Sequence, residues 1–434
     1  MSSNSNSSSS RNKIELLSCV SQNYSWGKLG HDSVVAQLLE KGTTNNNNKS
    51  IDQQQPYAEL WMGSHPSGPS KIQQCNTNLI DYIHKVKQEQ GISLMGDTVE
   101  KQFCNDFPFL FKVLSIRTAL SIQSHPDCNL AKVLFKQHPD IYKDPYHKPE
   151  IAIAITPFEA LCGFRPYDQI KDFIKTVPEL SNSLPNNILN DHSDCKDLLK
   201  SIVTNLLNAK PELIALNLKT LEQRLTQKQE QEKLDKLVIK LHQQYPGDVG
   251  VFFAYLLNYL CLDRGQAIFL AAGEPHAYIS GDLVECMAPS DNVVRAGLTP
   301  KFKDVNTLTQ MLTYTTGCPG IIEPIITDPC SGHLSFQPPV DEFQVDLYDF
   351  SRLSPNQNTI AVASNPGPSI LLVLQGDNIT IENDKLTSNN LTNITQGTVL
   401  FVPCDTPLHL INNNNSTNQP VLIYQASVNQ RVFQ

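Results

Sequence analysis

Short apolar runs closed by turn residues recur along most of this chain, and one long region breaks the rhythm. Leu110 to Ile116, Leu120 to His125, Ile151 to Ile155 and Ala267 to Ala271 each read as buried strands, because brief apolar runs bounded by Gly, Pro, Asn or Asp suit a sheet. A helical pattern occupies Leu79 to Glu89. From about Asp168 to Tyr259 the period lengthens. Leu198, Leu199, Ile202 and Leu206 recur at helical spacing, and Leu221 to Tyr245, rich in Gln, Lys, Glu and Leu, reads as helix. Val251 to Leu262 is continuously apolar and is expected to be a further helix. Strand pattern resumes at Gln266. Beyond residue 320 it continues alone, with Ser369 to Leu374, a turn at Gln375-Gly376-Asp377, and Gly397 to Pro403. The fold class expected is mainly β with an α insert. Residues 1–13 form a disordered tail; 14–165 and 260–320 form one β domain; 166–259 are an inserted helical domain; 321–434 are a second β domain.

The two β regions share a pattern. Gly265-x3-Phe269-x5-Pro275-His276 resembles Gly397-x3-Phe401-x5-Pro407-x-His409, with identical Gly, Phe and Pro offsets and a histidine displaced by one. A small β unit is used twice.

Composition narrows the function classes. The 434 residues carry a net charge of −9, which argues against a general nucleic-acid binder. The start, MSSNSNSSSSRNK, has no apolar core and is no signal peptide, and no apolar run reaches the roughly 20 residues needed to span a bilayer. Eleven cysteines without C-x-x-C pairing read as reduced thiols of a cytoplasmic protein. The tracts Asn45 to Asn48 and Asn412 to Asn415 read as loop insertions.

The densest chemistry lies between Gly265 and Val305. Gly273-Glu274-Pro275 turns the chain just before His276, and Gly281-Asp282 reads as a second turn. Glu285 follows in a strand-like run, then Asp291, Arg295 and Lys301. A lone histidine after a turn carries little weight; the case rests on what it can meet. Gln123 and His125 are two apart on a strand and share a face with Ser121. Lys148 and Glu150 share a face likewise, and Pro149 between them places the pair at a strand start or edge. Gln123, His125, Glu150 and His276 together make a mixed N/O donor set that suits zinc. One anion among four donors leaves a positive site, a Lewis acid able to polarise a carbonyl or hydroxyl oxygen. Lys148, Arg295 and Lys301 suit an anionic substrate, and Glu285 can shuttle a proton. No serine nucleophile elbow, Walker A loop or dinucleotide fingerprint is present.

The residues that carry this chemistry also resemble a known family, the type I mannose-6-phosphate (phosphomannose) isomerases. The matching stretches are YSWG at Tyr24, AELWMGSHPSGPS at Ala58, FPFLFKVLSI at Phe107, ALSIQSHPD at Ala119, HKPEIAIAITPFEALCGFRP at His147 and GEPHAYISGDLVECMAPSDNVVRAGLTPKFKDV at Gly273. The C-terminal third matches loosely. Cys128, where lysine is common, is one departure. The resemblance implies a cupin-like (jelly-roll) β-sandwich catalytic domain, a helical domain and a second cupin-like domain. It implies one zinc per chain on Gln123, His125, Glu150 and His276. It makes Arg295 essential and puts Trp26, Ser121, Lys148, Tyr278, Glu285 and Lys301 in or near the substrate pocket; of the catalytic groups Glu285 is the first choice to carry the proton, with Lys148 or a zinc-bound water as rivals. The reaction implied interconverts mannose 6-phosphate and fructose 6-phosphate through an enediol, supplying mannose 6-phosphate for GDP-mannose synthesis. A cytoplasmic monomer acting on a small sugar phosphate, with no nucleic-acid or membrane partner, is expected. The alternative is a sugar-binding cupin without turnover, which would usually have lost Arg295 or a metal ligand. The second β unit lacks neighbouring Gln-x-His and Lys-x-Glu pairs and is expected to hold no metal.

Overall fold

The computed structural model describes residues 12–42, 50–190, 194–317, 319–414 and 420–434. The tail up to residue 11, the Asn45 to Asn48 tract and the end of the Asn412 to Asn415 tract lie outside them. The chain forms two compact units, one of residues up to 115 with 283–289 and 322–434, the other of 116–282 with 290–321. The expected inserted helices and the expected metal ligands fall in the same unit.

The first unit is built on antiparallel strands. Glu15–Ser18 lies between Val399–Val402 and Lys71–Ile72, and Ser369–Gln375 lies between Val399–Val402 and Leu422–Ser427. A separate four-stranded sheet contains Thr359–Val362, Leu408–Asn412, Ile379–Asn383 and Leu391–Ile394. Alternate residues of both sheets, among them Leu371, Val373, Leu400, Ile379, Ile381 and Leu410, form one buried apolar cluster, the interior of a cupin-like sandwich.

The second unit holds the sheet strands Ile122–Ser124, Glu150–Ala154, Phe158–Phe164, Leu257–Leu262, Ala267–Leu270, Val294–Gly297 and the first half of His276–Met287. Its helices include Tyr167–Thr176, Cys195–Leu207, Pro211–Thr226 and Lys233–Gln244. Their apolar faces, with Leu199, Ile202, Leu221 and Leu241 fully buried, join Ile122, Phe253 and Ile279 in one core. The expected continuous helix from Leu221 to Tyr245 is broken at residues 227–232, a Gln/Lys/Glu run with no apolar anchor; Glu232 and Asp235 then cap the next helix reciprocally.

Two expectations fail here. Val251 to Leu262 is helical only in its first half. The 3-10 segment Val249–Phe252 and one α-helical turn, Phe253–Leu256, give way to the strand Leu257–Leu262, which pairs with Phe158–Phe164. Asn258 explains the switch, because its Nδ2 bridges the carbonyls of Cys162, Gly163, Phe164 and Gly317, so sheet pairing overrides local apolarity. Gly281-Asp282 is not a turn either; the strand His276–Met287 runs through it. Gly281 has φ +113°, and a Cβ there would lie 2.6 Å from the Pro157 carbonyl oxygen. The glycine admits a neighbouring backbone rather than reversing the chain.

The repeat is visible in the backbone. Gly265 and Gly397 both have φ +85°, and eight residues on, Gly273 (+75°) and Asp405 (+57°) are both left-handed. Ala267–Leu270 and Val399–Val402 are the corresponding strands.

Candidate metal centre and active site

Each candidate ligand sits in a strand or just beside one. Gln123 is central in Ile122–Ser124, with Ser121 before that strand and His125 just after it. Glu150 begins Glu150–Ala154, as the position of Pro149 requires, and His276 begins His276–Met287. Sheet register sets Gln123 opposite His276 on one side and opposite Arg295 on the other. Residues directly opposite in an antiparallel pair share a face, so Arg295, Gln123 and His276 form a row across three neighbouring strands.

Both histidines are oriented by backbone carbonyls. His125 Nδ1 lies 2.7 Å from the Asn292 oxygen, and His276 Nδ1 lies 3.0 Å from the Glu274 oxygen. Each Nδ1 therefore donates, which leaves each Nε2 as a lone-pair donor to a metal. Each Nε2 stands 3.4 Å from Glu150 Oε2. These atoms are all buried and have no hydrogen-bond partner among the described residues. Unsatisfied buried polar atoms are costly, and three converging on one point call for a shared partner. A tetrahedral zinc with bonds of about 2.0–2.1 Å separates its ligand atoms by about 3.3–3.4 Å, the spacing each Nε2 keeps from Glu150 Oε2. The electrostatics agree. Burial pushes His125 down to about 4, against the opposing pull of Glu150, so the imidazole is neutral at physiological pH. Burial alone would raise Glu150; His125, Lys148 and His276 hold it well below the usual carboxylate range. Among the described residues this is the one His/Cys/Asp/Glu group assembled for a metal.

The other predicted residues divide between the units. Lys148 Nζ is 3.5 Å from Glu150 Oε1 with its side chain 11% exposed, so it borders the cluster. The Tyr278 ring is 6.3 Å from His276. Arg295 is half-buried, and burial draws its guanidinium below its ordinary pKa; among the described residues no acidic partner pairs with it. Lys301 is exposed, its backbone N–H donating to Thr299 Oγ1. Glu285 and Trp26 belong to the first unit. There Trp26 stacks on Tyr24, and Glu285 Oε2 lies 3.1 Å from Lys112 Nζ. Lys112 also faces Glu59 at 3.5 Å and covers the Trp61 ring, while Trp61 Nε1 donates to Glu59. Sequence reasoning missed Glu59 and Lys112. The available signal was a charge inside each of two apolar strand runs, where charges are rarely buried unless paired.

A buried His–Glu–His cluster with an ionised Glu150, in the unit that also holds an arginine with no acidic partner among the described residues, defines a class of metal-site enzyme. Models of the phosphomannose isomerase type I catalytic domain and helical insertion domain match residues 14–167 and 176–257. A probable mannose-6-phosphate isomerase of Dictyostelium discoideum is 57% identical over 97% of this chain and 94% of its own. The Bos taurus mannose-6-phosphate isomerase is 41% identical over 89% and 92%. A crystal structure of mannose 6-phosphate isomerase bound with zinc and yttrium aligns with TM-score 0.79 at 29% identity, covering 96% of this chain and 100% of that one. Solved alanine variants of the Salmonella typhimurium enzyme include a lysine two residues before a glutamate, that glutamate, and a glutamate and an arginine ten residues apart. This chain belongs to the type I phosphomannose isomerases.

Proposed function

We propose that the chain interconverts mannose 6-phosphate and fructose 6-phosphate by proton transfer between C1 and C2, with one zinc held by Gln123, His125, Glu150 and His276. The observation that carries this reading is the convergence of three orphaned, buried donor atoms at zinc spacing in the unit that also holds the unpaired Arg295. Zinc bound there supplies a Lewis acid that polarises sugar oxygens. Arg295 and Lys148 provide positive charge for the oxyanion that develops as the proton leaves. Glu285 carries the proton: its buried carboxylate is held 3.1 Å from Lys112 Nζ. The spacings Lys148–Glu150 and Glu285–Arg295 are those of the Salmonella variants, which supports both assignments. Ser121, Trp26, Tyr278 and Lys301 bind the sugar phosphate. Run toward mannose 6-phosphate, the reaction feeds GDP-mannose synthesis.

The test is turnover of mannose 6-phosphate in heavy water by native, chelated and Glu285→Gln protein. The expected results are ketose formed only with metal, deuterium at C1 of the product, and slower isomerisation and exchange together in the variant. Free phosphate in place of ketose would sink the isomerase. Normal exchange in Glu285→Gln would remove Glu285 as the proton carrier.

A further inference from the structure

The strand that carries Arg295 is weakly held by its own sheet. Among the described residues Val294–Gly297 pairs with Ile122–Ser124 alone, and the register slips between Arg295 and Gly297. The chain leaves that strand through Leu298, whose φ of +54° is left-handed. A residue with a Cβ takes this conformation only where its surroundings impose it. Here the imposing group is Asp248, which lies just beyond the last long insert helix, Lys233–Gln244. Its side chain is 13% exposed. Oδ1 accepts from the N–H groups of Leu298 and Gly250, both at 2.7 Å. Oδ2 faces the Thr299 N–H at 3.4 Å. The Leu298 side chain is buried in the core shared with Val251 and Phe252.

Backbone packing reinforces the hold. A Cβ on Gly297 would lie 2.5 Å from Gly250 Cα, and one on Gly250 would lie 2.5 Å from the Leu298 nitrogen. The two backbones touch, so a shift of the Asp248–Gly250 turn moves the exit of the arginine strand. Lys303 is 3.9 Å from Asp248 Oδ2, too far to be the main partner. The carboxylate acts chiefly as an acceptor for main-chain N–H groups. It fixes the loop at Leu298, between Arg295 and Lys301.

We propose that Asp248 is a positioning residue for Arg295, so that the end of the helical insert sets where the guanidinium points. This rests on the assignment of Arg295 to the reaction. A misplacement of about 1 Å can cost about 100-fold in rate, and a single acceptor that holds a left-handed residue is well placed to cause one. Because Asn retains an Oδ1 acceptor and Ala retains none, the two substitutions separate geometry from charge.

The test uses zinc-loaded full-length protein carrying Asp248→Ala, Asp248→Asn, Arg295→Ala, and Asp248→Ala with Arg295→Ala. Asp248→Ala should keep its metal equivalent and lose about 10- to 100-fold in kcat/KM, mainly in kcat. Asp248→Asn should recover most of that loss. In the Arg295→Ala background, Asp248→Ala should cost less than about twofold more, since residues acting as a unit are non-additive. If Asp248→Ala does not fold, Asp248→Ser replaces it, because the shorter Ser Oγ still caps the neighbouring Gly250 N–H but falls short of the Leu298 N–H. Arg295→Ala slow with Asp248→Ala (or its Ser substitute) fully active overturns this inference alone. A further tenfold loss in the double variant does the same. Wild-type turnover by Arg295→Ala overturns the assignment of Arg295 and this inference with it.

Discussion

Removing Asp144, which touches no ligand, should weaken zinc binding. His125 is oriented by the Asn292 carbonyl at 2.7 Å, so the metal geometry depends on where the 290–292 loop rests. Asp144 anchors that loop: Oδ1 accepts from Ser290 Oγ at 2.8 Å and Asn292 Nδ2 at 3.1 Å, and Oδ2 accepts from the Asp291 N–H at 2.8 Å. Asp144→Ala deletes both acceptor oxygens and with them these three bonds, along with the one Oδ1 accepts from the Tyr146 N–H at 3.0 Å. Asn292 Nδ2 keeps the main-chain oxygens of residues 144 and 146 at 2.8 and 2.9 Å, so the loop loosens rather than detaches. A bond to a charged acceptor contributes about 1.5–3 kcal/mol when buried. Asp144 is only half-buried, so about 1 kcal/mol each is the fair value, and part of the total reaches His125. About 1.4 kcal/mol at the metal corresponds to a tenfold rise in Kd, the low end of the 10- to 100-fold cost usual for outer partners of a ligating histidine. The assay is competition for zinc between the stripped protein and a chromogenic chelator. Ser290→Ala, which loses one of the three bonds, should shift Kd less than about threefold. An Asp144→Ala Kd within twofold of the native value would refute the idea that this loop sets the pose of His125.

Other outcomes follow from the same geometry. Arg295→Ala should keep zinc and fold, since among the described residues Arg295 has no acidic partner to strand, yet lose about 100-fold or more in kcat/KM; unchanged KM would place its contribution in the transition state, raised KM in substrate binding. His409→Ala should leave zinc content unchanged, and loss of a metal equivalent on elemental analysis would refute that. In the helical region Arg224 Nε and Nη2 donate to Glu179 Oε1 and Oε2 at 2.8 and 2.7 Å, and these bonds lower the Glu179 pKa. A carboxyl depressed on folding contributes stability above its unfolded pKa of about 4.3 and loses it as pH falls through the folded value. The stability gap between native protein and Arg224→Met should therefore be open at pH 7 and close in acid; urea melts showing a pH-independent gap would refute the pairing.

What the sequence disclosed and what it hid differ in range. Gln123 with His125, and Lys148 with Glu150, could be paired by eye because a strand's period of two is local. The turn that delivers His276 is local as well. The position of Arg295 opposite Gln123 is not, because register is set by partners far along the chain. Leu257–Leu262 deceived for the same reason: an apolar run fits helix or strand, and the four carbonyls gathered by Asn258 decide it from outside the run. Gly281-Asp282 carried turn residues, but its glycine answers the approach of Pro157 and Phe158. The hydrogen bonds of Asp144 and Asp248 span long stretches of sequence, and no local pattern announces them.

The repeated β unit shows how little separates a metal site from a plain sheet. In the first copy Leu270 lies opposite Glu150, and in the second Val402, at the same offset from its glycine, lies opposite Ser369. The pairs that follow keep step, Phe269 with Ile151 and Phe401 with Ile370. The strand after the turn begins at His276 in one copy and at Leu408 in the other, again at equal offsets. The second copy thus keeps the register and puts Ser369 and Leu408 where Glu150 and His276 stand. His409 does not compensate. It is one residue further along the strand, and successive side chains on a strand point to opposite faces. Leu408 is buried at 1% exposure in the sandwich core, whereas the His409 side chain is 37% exposed and pairs with Asp384 at 3.2 Å. A one-residue displacement that looks minor in a sequence match therefore moves the imidazole to the other face of the sheet, where it is a surface ion-pair partner.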